Sequence, residues 1–442
     1  RSRRHIKYRA TRNGQPVHTA RVITRPQLAL GIGGQLLRPS PQATHTLSVF
    51  FFRILTVQLV PTSGEVNAWE FAGRGLFEEM AYLGAMLLLT SVPAVPRLDG
   101  IFLSLNSINA AYSATQWALE FEAMARVGIN FVCVRAALVG RSNSTAGGCT
   151  LGTYTAYYPT TLAPTKCYTH AALADGSSAL GNVLDGAATH GVQVHITPAM
   201  PHSPFAWPGG ADYFAQLTDL QVAAFADVWA AYPQHHETIV GVYSSLEQWN
   251  GLGWMKDSVA GPMATDYFEP LARRVRAASD STALQVWASP YYVGNRTLHS
   301  SAQNASSYAA YWARVWAAAP SFDWIALQDS RGWQGNSDAE VAVALAALQA
   351  AAAAAGPTQA LWSNVELFEG WPAPCEYPTK CGRHPAPIAR IVKQLASENP
   401  FVGGRHIAWE WSSCLSPQTN VNTSRLYADY AQYVGANVSG IV

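Results

Sequence analysis

Four carboxylates stand where this chain could carry out acid–base chemistry: Glu247, Asp329, Glu366 and Glu410. Each ends or closes a short apolar run rich in aromatic and β-branched residues, which reads as a strand. The runs are ETIVGVYSSLE (237–247), DWIALQD (323–329), QALWSNVE (359–366) and RHIAWEW (405–411). Two carboxyl groups facing one cavity are what cleavage of a glycosidic bond requires. One protonates the leaving oxygen, and the other attacks the anomeric carbon or activates water. The remaining strand-like runs end in polar groups without a carboxylate: Asn106, Arg135, His202, and Tyr291 with Tyr292. Arg135 reads as a structural ion-pair partner, or as a group that orients or charge-stabilises Glu366. Tyr243, Tyr291, Trp249, Trp409 and Trp411 are the aromatic candidates, either stacking on sugar rings or sealing the end of the fold. The plainer reading of each acid is a solvated loop residue or a partner for a nearby arginine.

Other chemistries lack their residues. No G-x-S-x-G elbow is present, so a serine triad has no support. No H-E-x-x-H occurs, and His202, His235 and His236 do not have metal-ligand spacing. No glycine-rich phosphate turn follows the first strand or the last two. No metal and no organic cofactor is therefore expected. Charged residues are 13% and the net charge is +1, which argues against nucleic acid as a partner. Hydrophobic residues at 49% supply a large core, and most of the 15 Trp must serve in it.

The elements that must position these groups alternate from Asp99 onward. Strands are read at 101–107, 130–138, 192–200, 237–247, 284–292, 323–329, 359–366 and 405–411. Helices are read at about 113–128, 178–190, 211–231, 264–279, 306–319, 338–355, 386–398 and 423–434, with Gly191, Pro233 and Gly356 as stop signals. Eight strand–helix units in strict alternation predict a (β/α)8 TIM barrel, an α/β fold whose working residues gather at the C-terminal ends of the strands.

The first hundred residues read differently. They carry a basic cluster from Arg1 to Arg12, no acid before Glu65, and no sustained periodicity. Residues 1–79 are expected to be a largely disordered extension, and 80–97 (MAYLGAMLLLTSVPAVPR) resembles a signal-peptide core and cleavage region. An organellar transit peptide is the alternative. The barrel then occupies 98–442. Cys149 with Cys167, and Cys375 with Cys381, bracket loops and suggest two disulfides, whereas Cys133 and Cys414 lie in strand-like segments and read as buried thiols or a third bridge. Five N-x-S/T sequons, at Asn143, Asn295, Asn304, Asn422 and Asn437, agree with a secreted glycoprotein. The expected form is a monomer without a membrane span.

Glu247 and Glu366, on the fourth and seventh strands, resemble in position the acid/base and nucleophile of retaining barrel glycosidases, although Leu246 replaces the Asn that ordinarily precedes the acid. The chain also resembles the DUF4434 family, barrel proteins of glycoside-hydrolase type. The resemblance rests on QWALEFEAMARVGINFVCVR (116–135), GVYSSLE (241–247), SPYY (289–292), DWIALQDSRG (323–332), NVELFEG (364–370) and IAWEWSSCLSP (407–417). It implies that Glu247, Asp329 with Gln328, and Glu366 with Asn364 are pocket residues, and that Glu410 fills the acidic place on strand eight. The expected activity is hydrolysis of a polysaccharide or glycan, with Glu247 as acid/base and Glu366 as nucleophile. The alternative is a barrel that binds carbohydrate without cleaving it.

Overall fold

The computed structural model describes residues 9–12, 15–19, 95–105, 109–142, 151–162, 167–201, 212–294, 299–356, 359–371 and 382–438. The chain divides into two compact units, Arg1–Val92 and Pro93–Val442. In the first, Arg9–Arg12 pairs antiparallel with Gln15–Thr19, a local pairing that the patternless sequence did not announce. The rest of the expected extension, and residues 80–94 of the leader-like segment, lie outside the described residues.

The second unit is the expected barrel. Its strands are β1 (Gly100–Ser104), β2 (Phe131–Arg135), β3 (Gln193–Ile196), β4 (Ile239–Tyr243), β5 (Gln285–Ala288), β6 (Trp324–Gln328), β7 (Ala360–Glu366) and β8 (His406–Trp409). They pair in sequence order, all parallel, and β8 closes the ring on β1. The outer helices are α1 (Ala114–Arg126), α2 (Ala179–His190), α3 (Tyr213–Ala231), α4 (Glu269–Ser279), α5 (Ala305–Ala318), α6 (Asp338–Ala355), α7 (Ile388–Val402) and α8 (Val421–Val434). Covered on both faces, the strands are buried almost end to end, which is why they read as continuous apolar runs.

Local chemistry sets the helix ends. Ser113 with Gln116 and Ser337 with Glu340 form capping boxes at the starts of α1 and α6. Gly191 closes α2 at φ 68°, a left-handed position that suits glycine. The helix expected at 264–279 begins as a π-helical turn over Met263–Phe268. Pro270 cannot donate to the Asp266 carbonyl, and Thr218 Oγ1 of α3 donates to it instead, at 2.8 Å. By length and composition α6 would span a membrane, a property the sequence reading did not assign to it. The reason is its alanine content: Val341, Ala344, Leu345 and Leu348 are buried, while the exposed face is mostly alanine, with Val343 and Gln349.

All eight strands are shorter than the apolar runs that encode them, and two of the runs continue beyond a break. The run 130–138 breaks at Ala136, whose φ is +67°, and 192–200 breaks at Thr197–Pro198. The continuations Leu138–Ser142 and Ala199–Met200 leave the barrel and pair with each other, and Thr153–Ala156 and Tyr168–His170 complete a separate four-stranded sheet. Cys167 lies at the start of this last strand and is disulfide-bonded. Cys149, Cys375 and Cys381 are outside the described residues, so neither expected pairing is seen whole. Cys133 and Cys414 are free and buried, as thiols.

An aromatic plug fills the barrel interior. Phe102, Phe131, Tyr243, Trp287 and Trp324 form one buried cluster, and Trp287 stacks on Trp324 with centroids 4.1 Å apart. His195 sits within it, accepting from Trp287 Nε1 at Nδ1 over 2.9 Å, and burial pushes its pKa down to about 3. Gly241 makes room for this ring: a Cβ there would lie 2.0 Å from His195 Nδ1. The stacked indoles prevent the imidazole from retreating. Gly241→Ala is therefore expected to destabilise the protein by about 1–3 kcal/mol through overpacking, read as a lower denaturant midpoint. An unchanged midpoint would show that the plug is loose.

Candidate active site

At the C-terminal ends of the strands a cavity of about 220 Å³ opens. Six of the expected residues line it: Glu247, Glu366, Arg135, Gln328, Tyr291 and Trp409. Four that were not expected complete the wall: Ser330, Trp333, Phe368 and Arg383.

Glu247 lies four residues beyond the end of β4 and is 5% exposed. The Tyr243 hydroxyl donates to its Oε1 at 3.3 Å, and Arg135 Nη2 lies 3.6 Å from the same oxygen. Burial raises the Glu247 pKa, with Arg135, the Tyr243 hydroxyl, Arg383 and Gln328 opposing. Arg135, expected to serve Glu366, instead pairs with Glu247 while its guanidinium stacks over Trp409 at 4.5 Å.

Glu366 ends β7 and is equally buried. Its Oε2 accepts the Trp333 N–H at 2.9 Å, and its own N–H donates to Asp329 Oδ1 at 3.3 Å. Burial, then the neighbouring Asp329 carboxylate, push its pKa up to about 8, against the Trp333 N–H, Arg383 and Arg390. The two acids thus have unlike surroundings, one beside a cation and one beside an anion.

Asp329 does not face the cavity. It is 1% exposed and lies behind Glu366, accepting from the Glu366 and Arg331 backbone N–H groups and the Gln394 amide. Asn364 likewise points into the wall, donating to Ser289 Oγ at 2.8 Å. Tyr243 belongs to the plug and reaches the site only through its hydroxyl. Trp249 stacks behind Tyr291, with centroids 5.9 Å apart and planes within 6°. Glu410 accepts from Ser104 Oγ, away from the lining. Trp411 is a core residue: its Nε1 donates to Glu120 Oε2 at 2.7 Å, clamping the segment after β8 to α1. None of these six side chains lines the cavity; they stand behind or beside its wall. Asn106 and His202 lie outside the described residues.

Two backbone outliers adjoin the site. Ala136, next to Arg135, has φ +67°, and Ser330, next to Asp329, has φ +53°. Such conformations cost about 1–3 kcal/mol each and collect where a side chain must be aimed. Ser330 starts the turn that carries Trp333 to Glu366; it stands within the quoted stretch DWIALQDSRG, and Trp333 follows directly on it. Phe368 also stood within a quoted stretch, NVELFEG. Arg383 had no signal in the sequence, because it comes from the strand Gly382–Pro385 paired against Phe368–Trp371. Among the described residues no group of three or more His, Cys, Asp or Glu is arranged to hold a metal ion.

The profile of a domain of unknown function, DUF4434, matches residues 98–421. No curated protein sequence matches the chain. Among solved structures, a protein of Bacteroides thetaiotaomicron VPI-5482 assigned as an alpha-L-fucosidase superposes with TM-score 0.60 at 17% identity, covering 78% of this chain and 96% of that one. A GH113 beta-1,4-mannanase gives TM-score 0.45 at 11% identity, covering 76% and 98%. The PgaB (BpsB) glycoside hydrolase domain of Bordetella bronchiseptica gives 0.43 at 11%, covering 77% and 98%. At these identities the likeness speaks to the fold alone, a closed (β/α)8 barrel.

Proposed function

Since this chain belongs to the DUF4434 family, whose description names no reaction, we propose from its own site that it is a glycoside hydrolase acting on a glycan. One observation carries the reading: two buried carboxyls, Glu247 and Glu366, line a single cavity walled by Tyr291, Trp333 and Trp409. Aromatic faces suit the apolar faces of sugar rings, and the paired acids supply the proton and the nucleophile or base. Glu247 is the proton donor and Glu366 the attacking carboxylate, in the order of their strands.

Burial raises the pKa of both acids, and the Asp329 carboxylate helps to push that of Glu366 up to about 8. Attack requires the ionised form of Glu366, so kcat/KM is expected to climb as pH rises through about 8. Asp329→Asn keeps an oxygen for the Glu366 N–H but removes the repelling charge. The rising limb should then move to lower pH, and an unmoved limb would show that Asp329 does not set it.

Action outside the cytoplasm is part of the proposal. It is supported by the bonded Cys167 and by the exposed sequon asparagines Asn304, Asn422 and Asn437.

The deciding experiment is hydrolysis of plant, algal and bacterial glycans by the full chain, with Glu247→Gln and Glu366→Gln alongside. Sugar release lost in either variant supports the glycosidase. Glycan binding without release, unaffected by both substitutions, would favour a carbohydrate-binding barrel instead.

A further inference from the structure

Arg383 is one charge in the cavity that the two-carboxylate mechanism does not use. It stands opposite Gly370 in the hairpin formed by Phe368–Trp371 and Gly382–Pro385. Its guanidinium lies 4.6 Å from the Phe368 ring centre and 5.4 Å from that of Trp333, and it lines the cavity with Glu247 and Glu366. Arg135, the other arginine of the lining, is matched by Glu247 at 3.6 Å. Among the described residues Arg383 has no such carboxylate partner. Stacking on rings holds a guanidinium by its faces and leaves its N–H edge for an oxyanion, which it can grip with two parallel hydrogen bonds.

We infer that the cavity receives a sugar ring bearing a negatively charged substituent, and that Arg383 is the residue that recognises it. The inference rests on the glycoside hydrolase reading and names the substrate class within it. Arg383 is exposed, so an incoming ligand can reach its N–H edge from the solvent side of the cavity. A carboxylate on the ring (a uronate) and a sulfate ester share this chemistry.

The test uses matched ligands that differ only in that charge: a galacturonate oligosaccharide against its methyl ester, and a sulfated galactan oligosaccharide against its desulfated form. Binding is followed near neutral pH by quenching of tryptophan fluorescence, since Trp333 and Trp409 line the cavity. The full-length protein is compared with Arg383→Gln and Arg383→Lys. One charged ligand is expected to bind about tenfold or more tightly than its neutral partner, in the range for charge-assisted hydrogen bonds. Arg383→Gln should erase that preference, and Arg383→Lys should restore part of it. Whichever pair shows the preference identifies the anion as carboxylate or sulfate. Equal binding of charged and neutral partners, or a preference that survives Arg383→Gln, overturns the inference and leaves the glycosidase reading standing. If these ligands and the wider glycan panel are neither bound nor cleaved, both readings fall.

Discussion

Glu247→Gln is expected to lower kcat/KM by about 10²–10⁴-fold, the range for removing a positioned proton-transfer group, and Glu366→Gln, which removes the attacking carboxylate, by at least as much. The amide is nearly isosteric, so the cavity keeps its shape. The two variants should differ in stability, however, because the partners differ. In Glu366→Gln the amide oxygen would still accept the Trp333 N–H, and no second anion could form beside Asp329. That variant should be as stable as the parent or more so. In Glu247→Gln, Arg135 would lose its counter-charge at a site where that arginine is only 18% exposed, and some stability should be lost. Truncation separates the roles. With azide present, Glu366→Ala is expected to yield a glycosyl azide of inverted configuration, since azide then occupies the place of the attacking carboxylate. If azide restores Glu247→Ala in that manner instead, the two roles are exchanged. Full activity in both glutamine variants would remove the catalytic assignment altogether.

Gly332→Ala should have the next largest effect, although Gly332 is not part of the cavity lining. A Cβ there would lie 2.1 Å from the Phe368 carbonyl oxygen, and the Phe368 ring is within 3.0 Å. The obstruction is backbone, so it cannot swing aside. The strand-six turn must move from the hairpin, breaking the 2.9 Å hydrogen bond from Gly370 N to the Gly332 carbonyl. That shift displaces the neighbouring Trp333, whose N–H holds Glu366, and Phe368, on which Arg383 rests. Displacement of a catalytic group by about 1 Å can lower the rate by about 10²-fold, and the strain should cost about 1–3 kcal/mol of stability. Paired measurement of kcat/KM and the unfolding midpoint tests both parts. A full rate at reduced stability would show that Trp333 does not position Glu366.

Much of this protein could be read from residue order. The alternation of apolar runs with amphipathic segments determined eight strand–helix units, the number that a closed barrel takes. The same pattern located Glu247 and Glu366, because a barrel delivers the ends of all its parallel strands to one rim whatever their order in the chain. The stop at Gly191 was a local signal that the structure obeys.

The tertiary structure decided the partners. Arg135 could have met either acid, and closure of the ring with the stack on Trp409 brought it to Glu247. Asp329, next in sequence to cavity-lining Gln328 and Ser330, turned behind Glu366 and became the charge that sets its protonation. Trp411 and Trp409 stand two residues apart, yet one clamps Glu120 in the core and the other walls the cavity. Arg383 entered from a hairpin with no motif at all. Residue type and spacing determine which element a side chain belongs to and which face it takes. The partner of a polar group depends on distances between segments far apart in the chain, and those distances exist only once the barrel has closed.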